Sequence, residues 1–413
     1  MTDWKIDLGD SYSPSIPLEG RESISILLGA GFSVPKGYPT GDRLNKEILE
    51  FDKENVEFSN DGKLYFCDHN NINQHNSPLN LHQKRFIFCK RLIKEYAEAH
   101  EGHFDYECFY EFLKSDEAHE ERYRRLCNDI SKSEEYLSFI TNIPYIYNQM
   151  IEHLLKDKDG NNRYDNAPNH IGNMGEYDSF LRYIASLSRR YIVNIHTLNH
   201  DLLFESFNKS NIIGGAISDG FDEYGSDYFG ILRIDNIRYH CRLERFTGRY
   251  HTPIRLFKLH GSIDYVKYYK SQDNAFLKPK QFVKIKAGIG VDDIIKGRGS
   301  KKGYDAFPFA YHGDYLTGIT LKTMGYNEPL LFKKLFKRFK KNLKHANKLI
   351  IIGYGGKDEG INKIIMDNYD YHSNPTYIVD KYATGKIADF GKALNAKIYQ
   401  VGVEEITSNL FDI

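Results

Sequence analysis

The run Ile24-Ser25-Ile26-Leu27-Leu28 stops abruptly at Gly29-Ala30-Gly31, with Ser33 two residues further on. No other segment restricts the fold of this chain as strongly. The apolar, β-prone residues predict a buried strand. The glycines after it lack a Cβ, so the backbone can turn sharply and bring its N–H groups close to a phosphate. A strand ending this way opens a nucleotide-binding strand–turn–helix. The spacing is not a full GxGxxG pattern, so a plain turn fits the same residues at this point.

Short apolar runs recur at Tyr191 to Ile195, Leu256 to Leu259, Lys348 to Ile352, Thr376 to Val379 and Lys397 to Val401. Strands of this kind, alternating with helical stretches, predict an α/β fold: a mainly parallel sheet with helices on both faces. A helix is expected to begin near Thr40-Gly41-Asp42, where Thr and Asp can cap and Leu44, Ile48 and Leu49 give the period. Residues from about 80 to 190 read as helical, with Phe86, Cys89, Leu92 and Ile93 on one face. That block is too long for one crossover and predicts a large helical insertion. Residues 1–22, polar and punctuated by Pro, Gly and Ser, read as an arm, which leaves 23–413 as the sheet-bearing domain.

Residues 212–250 predict a β-hairpin excursion, and 266–312, rich in Lys and Gly with little period, predict a surface loop or lid. Further on, Leu331, Phe332, Leu335, Phe336, Phe339 and Leu343 form one helical face, with Lys333 to Lys344 supplying cations on the other. That reads as a docked helix with a solvated face, or as a surface for nucleic acid or an acidic partner.

The chain carries 56 Lys and Arg against 56 Asp and Glu, so no global field draws it to nucleic acid or to a membrane. Its 5 cysteines are scattered, with no CxxC pair, which points away from a thiolate zinc site and toward a reducing, cytoplasmic location. No leader pattern opens the chain, and no apolar run approaches the roughly 20 residues that span a bilayer. A soluble protein without membrane contact is expected.

Ligands of open α/β sheets bind beyond the carboxyl ends of the strands, so the residues just after each strand carry the chemistry. After the first strand stand Gly29, Ala30, Gly31 and Ser33. After the others come Thr197, Asn199, His200 and Asp201, then His260, then Gly353 to Asp358, then Asp380. The first glycines could hold a pyrophosphate with help from a following helix dipole, and Gly353 and Gly355 could allow a second close approach. Asp380 sits where a carboxylate could pair with ribose hydroxyls. An unperturbed imidazole titrates near neutrality, so His260 could act as general base, while Asn199 could orient a water or hydroxyl. Each has a plainer reading: His260 as a satisfied structural histidine, Asn199 and Asp201 as helix caps, Gly355 and Asp380 as turn residues. His196 and His200 have no carboxylate or Cys at ligand spacing, so no metal is expected.

Gly29-Ala30-Gly31-x-Ser33 with Gly37 and Pro39, then Thr197-x-Asn199-x-Asp201, then Leu259-His260-Gly261, then Gly353-Tyr354-Gly355, in this order, resembles the sirtuin (silent-information-regulator) NAD-binding family. The resemblance covers roughly residues 20 to 60 and 190 to 400. It implies a Rossmann-like domain and NAD as ligand, with His260 and Asn199 catalytic. Gly29, Ala30, Gly31, Ser33, Thr197, Asp201, Gly353, Gly355 and Asp380 would then bind the dinucleotide. The chain departs from the deacylases of that family in lacking their zinc ribbon, in having Leu198 where they carry glutamine, and in having Thr40-Gly41-Asp42 after Pro39. It looks more like the sirtuin-like effectors of bacterial antiphage defence, which consume NAD, and among them the partner of a HerA-type hexameric ATPase. The resemblance therefore implies an NAD glycohydrolase needing no zinc and working as a homo-oligomer or with a partner. The alternative is a binding module that senses NAD or ADP-ribose, or recruits nucleic acid, without catalysis.

Overall fold

The apolar runs line up side by side in a computed structural model. It describes residues 18–51, 56–58, 64–66, 80–113, 115–128, 130, 136–162, 175–234, 237–269, 279–285, 289, 294, 307–308, 314–315 and 331–411. The strands are β1 (Ser23–Leu28), β2 (Ile192–Thr197), β3 (Ile217–Ser218), β4 (Ile254–Lys258), β5 (Ala346–Ile352), β6 (Thr376–Val379) and β7 (Lys397–Tyr399). They form one sheet in the order β7-β6-β5-β1-β2-β4-β3. Every pairing is parallel. The register puts Lys258, Thr197, Leu28, Ile352, Val379 and Tyr399 in one row, so the strands end together along one edge.

The described α-helices of seven residues or more are α1 (Gly41–Leu49), α2 (Leu81–Ala99), α3 (Tyr106–Phe112), α4 (Tyr136–Leu154), α5 (Asp178–Ser188), α6 (Leu331–Lys344), α7 (Glu359–Asn368) and α8 (Lys386–Ala393). Alternation along the strands sends Ile26, Leu28, Ile195 and Ile350 to a core shared with α5. Leu27, Phe257 and Ile351 go to the opposite core, shared with α6, α7 and α8. Both faces are thus covered, as the continuous apolar strands require. The expected amphipathic helix is α6. It buries Leu331, Phe332, Leu335, Phe336, Phe339 and Leu343, each such burial stabilising by about 1.5–3 kcal/mol.

A third core belongs to α1–α4, with Leu44, Ile48, Phe88, Phe109, Phe139 and Ile143 among its buried members. Of the stretch 80–190 expected as one helical layer, the residues up to Leu155 share this core, while α5 lies against the sheet instead. α1 starts where the sequence placed it, with the Thr40 side chain accepting from the Arg43 N–H at 3.3 Å. The segment before it is different. A helix does not follow the glycine turn directly; two 3-residue 3₁₀ turns, Ala30–Phe32 and Val34–Lys36, intervene, the second closed by Gly37 at φ +102°. Pro35 and Pro39 withhold backbone donors here, which keeps the segment from winding into an α-helix.

The hairpin expected within 212–250 is present as Phe229–Ile234 paired with Ile237–Arg242. The lid expected at 266–312 is not a loop where it is described. Tyr265–Tyr269 and Pro279–Lys284 join Gly220–Asp222, Glu244–Arg249 and Phe307–Pro308 in an antiparallel sheet. Phe282, Val283 and Ile285 are buried, so apolar packing overrides the Lys-rich composition. Much of the rest of 266–312, and residues 1–17 of the arm, lie outside the described residues. The end of the arm is tied down: Arg21 donates to the Ser188 carbonyl at 2.7 Å. No helix among the described residues is long and apolar enough to cross a membrane.

Candidate functional site

After β1 the chain places β2 on one side and later β5 on the other, so the strand order reverses about β1. A crevice opens beyond the carboxyl ends at such a switch point. Here it is a cavity of about 780 Å³, within the usual range of ligand sites. Its floor comes from the residues after β1, β2, β4, β5 and β6, and its roof from the helical layer through Leu44, Tyr106 and Leu155.

The glycines of the first turn have a local cause. A Cβ on Gly31 would lie 2.8 Å from the Gly353 Cα, and one on Gly353, at φ +60°, would lie 2.3 Å from the Phe32 nitrogen. The loops after β1 and β5 therefore interlock backbone to backbone. Gly29 N donates to the Ile352 carbonyl at 3.0 Å and Gly31 N to the Gly353 carbonyl at 2.8 Å. Phe32 and Ser33 close the 3₁₀ turn onto Gly29 and Ala30. This corrects the expected cradle: the Gly29 and Gly31 N–H groups are committed to the end of β5 and the loop after it, and no α-helix follows them directly. The Ala30 N–H is the amide of this turn that meets no backbone carbonyl among the described residues.

Asn199 fixes that turn. Its Nδ2 donates to the Gly29 carbonyl and to Ser33 Oγ, both at 3.0 Å. Since a carbonyl only accepts, the amide nitrogen must face it, and Oδ1 remains the acceptor of this cavity-lining side chain. Ser33 Oγ donates in turn to Asp201 Oδ2 at 2.9 Å, and Asp201 Oδ1 accepts from the Leu203 N–H at 2.9 Å. Asp201 thus makes an Asx turn leading into the short helix Leu203–Ser206, whose N-cap is Leu202, so neither Asp201 nor Asn199 is the expected cap. Ser33 is buried in this chain of bonds, and Thr197 Oγ1 accepts from the Asn199 N–H at 3.0 Å. Both shape the turn from behind the cavity.

His260, 4% exposed, lies in the cavity wall after β4. Its Nε2 is 3.4 Å from Asp358 Oδ2. Asp358 is itself held: it caps α7 through the Ile361 N–H at 3.1 Å, and the Tyr354 hydroxyl reaches its carbonyl at 3.0 Å. Beneath them Lys258, fully buried in β4, bonds the carbonyls of His200 and Asp201 and pairs with Glu205 at 3.0 Å. Burial raises the Asp201 and Glu205 carboxyls above their ordinary range, and Lys258 pulls both back. His196 faces the aromatic core instead, with Phe339 at 4.6 Å, so it has no part in the cavity.

Gly353, Gly355 and Asp380 line the far half of the cavity. Asp380 Oδ1 accepts from the Tyr382 N–H at 2.8 Å, which makes it a turn residue that also faces the cavity. From Asp380 to His260 spans four strand spacings, about 19 Å at roughly 4.8 Å each, which suits an elongated ligand. At the mouth, Lys357 bonds Asp42 of α1 at 2.7 Å, an exposed pair joining sheet and helical layer. No group of three or more His, Cys, Asp and Glu side chains among the described residues is placed to hold a metal ion.

No protein-family model matches the chain, and neither does any curated protein. Solved structures do. A Sir2 homologue in complex with NAD is 11% identical, with 95% of this chain and 88% of that chain covered and a TM-score of 0.38. A structure addressing the mechanism and regulation of Sir2 enzymes is 13% identical over 93% and 89%, at a TM-score of 0.31. Sir2 bound to an acetylated peptide is 12% identical over 94% and 91%, at 0.32. Identities this low transfer no residue role.

Four contributors escaped the sequence reading. Asp358 was visible only as the end of a glycine-rich run, although an Asp just before a helical period signals a cap. Lys258 had a signal too, as a cation inside the apolar run Leu256 to Leu259. Tyr106 and Glu107 come from the helical layer, joined by a 2.9 Å hydrogen bond from the Tyr106 hydroxyl, and nothing local marks them as cavity residues.

Proposed function

We propose that the cavity binds NAD and hydrolyses its nicotinamide–ribose bond, releasing nicotinamide and ADP-ribose. The observation that carries this reading is the His260–Asp358 pair set in the wall of an elongated cavity at the switch point, beside a turn that Asn199 holds in place. The pyrophosphate would meet the Ala30 N–H, and Asp380 would accept from ribose hydroxyls at the other end. Nicotinamide leaves with the bonding electron pair as a neutral molecule, through an oxocarbenium-like transition state comparable to glycoside cleavage. A water then adds to the anomeric carbon. His260 takes its proton, the Asp358 carboxylate stabilises the resulting imidazolium, and Asn199 Oδ1 orients the water or the ribose.

The order of the motifs and the absence of CxxC pairs favour this hydrolysis over transfer of an acyl group from lysine. On the same resemblance we place the chain in the cytoplasm as an effector of bacterial antiphage defence by NAD depletion, acting as a homo-oligomer and with a HerA-type ATPase. The test is incubation of the protein, alone and with that ATPase, with NAD while nicotinamide and ADP-ribose are quantified. Turnover is expected, reduced by at least about 100-fold in His260→Ala. No turnover in either setting, with NAD binding unchanged in the variant, would overturn hydrolysis and leave a sensing module.

A further inference from the structure

We propose that the exposed face of α6, continued by Arg255 of β4, binds the phosphate backbone of a nucleic acid. Lys333, Lys334, Lys337, Arg338, Lys340, Lys341 and Lys344 are all exposed, and the same helix has no Asp or Glu. Among the described residues none of these cations pairs with a carboxylate. A merely solvating helix face gains stability from interspersed acids at i,i+4, and α1 has such pairs in Arg43–Glu47 and Lys46–Glu50. α6 has none.

The charge continues off the helix. Arg338 stands over the Tyr250 ring at 5.8 Å and Lys334 over Phe246 at 5.8 Å, which ties the face to the antiparallel sheet. Arg255 shares the sheet face of Phe257, against which Tyr250 packs at 4.6 Å. Partial burial and then the Arg338 charge lower the Arg255 pKa, so two guanidinium groups repel each other here. An anion between them relieves that repulsion. From Lys333 to Lys344 the helix runs about 16 Å, the length of about five phosphates along one strand of B-form DNA. Seven cations over that length, with no acid among them, are enough to neutralise such a stretch of backbone.

Fluorescence anisotropy with a labelled DNA duplex and an RNA strand of the same sequence, across a salt series, tests this. Binding is expected to weaken with salt at a log–log slope of about −4 to −5 for five contacts on a DNA duplex. Binding of both polymers, or of one, fits the shared phosphate chemistry and tells which source is used. Lys334→Glu/Arg338→Glu should lose affinity by more than about tenfold, and Lys337→Gln/Lys341→Gln should weaken it with no charge reversal to disturb folding. Lys363→Glu, exposed on the neighbouring α7, serves as control and should bind as the parent does. Absence of binding, affinity indifferent to salt, or full affinity in both α6 variants would overturn the proposal. So would binding of polyglutamate in place of nucleic acid. None of these outcomes depends on NAD hydrolysis.

Discussion

His196 in β2 has Phe257 stacked on it at 5.0 Å and Phe339 at 4.6 Å, and burial pushes its pKa down to about 3 from 6.5. The folded chain therefore keeps this ring neutral at pH values where the unfolded chain protonates it. Its contribution to stability is full above pH 6.5 and is lost as pH falls toward about 3, at about 1.4 kcal/mol per unit. Asp201 and Glu205, with raised carboxyls, act in the opposite sense, so the comparison must be made against a variant. Urea unfolding at about pH 7 and about pH 5 should show His196→Leu losing less stability on acidification than the parent. Equal slopes would mean that His196 is not the group that titrates. His260 has the same side chain in a polar wall, where Asp358 faces it at 3.4 Å. Asp358→Asn keeps an α7 cap, since Asn caps as well as Asp, but removes the charge that supports an imidazolium. NAD turnover should fall more than about tenfold and less than the roughly 10²–10⁴ expected for loss of the base itself. Unchanged turnover with unchanged pH profile would make Asp358 a helix cap and nothing more.

Among the elements, the parallel strands were legible because a strand buried on both faces must be a continuous apolar run, as in Lys348 to Ile352. Pro279–Lys284 was not, because its buried Phe282 and Val283 alternate with nothing and sit beside lysines. Burial alone would lower the Lys284 pKa, yet Asp219, Asp264 and Glu205 raise it well above the ordinary value. A lysine accommodated by carboxylates this distant in sequence carries no local signature. The site shows the same division. Gly29, Gly31 and Gly353 announced a close approach, but the approach that their missing Cβ atoms permit is to each other. Gly31→Ala should therefore destabilise the chain by about 1–3 kcal/mol even without ligand, as overpacking does; an unaltered denaturation midpoint would refute the interlock. The helical layer makes a parallel case. Phe88 packs edge-on against Tyr136 and Phe139 at 5.8 and 5.9 Å in a core separate from the sheet. Phe88→Ala should cost about 3–5 kcal/mol, and should weaken ligand affinity as well, because Leu44 and Tyr106 of that layer roof the cavity. Calorimetric affinity equal to the parent's would separate the layer from the site.

Across the whole molecule the balance of 56 cationic and 56 anionic residues conceals a separation of charge. The exposed positions of α6 are cationic, while the cavity is lined by eight Asp and Glu residues against two lysines. Glu107, from the roof, is close enough to Tyr354 on the floor to help raise its pKa, after burial and Asp358. The two surfaces must then answer salt with opposite sign. Phosphates approaching α6 displace counterions, so nucleic acid affinity falls as salt rises. A pyrophosphate entering an acid-lined cavity is repelled by carboxylates across a few ångströms to a Debye length, about 10 Å at 0.1 M, and added salt screens that repulsion. NAD affinity, measured by calorimetry across the same salt series, should hold steady or rise while DNA affinity drops. Parallel loss of both would place the two polyanions on one surface and remove the distinction between cavity and helix. With opposite slopes, the carboxylates at the cavity exclude nucleic acid from the site while α6 holds it, so one neutral chain can handle two anionic ligands without competition between them.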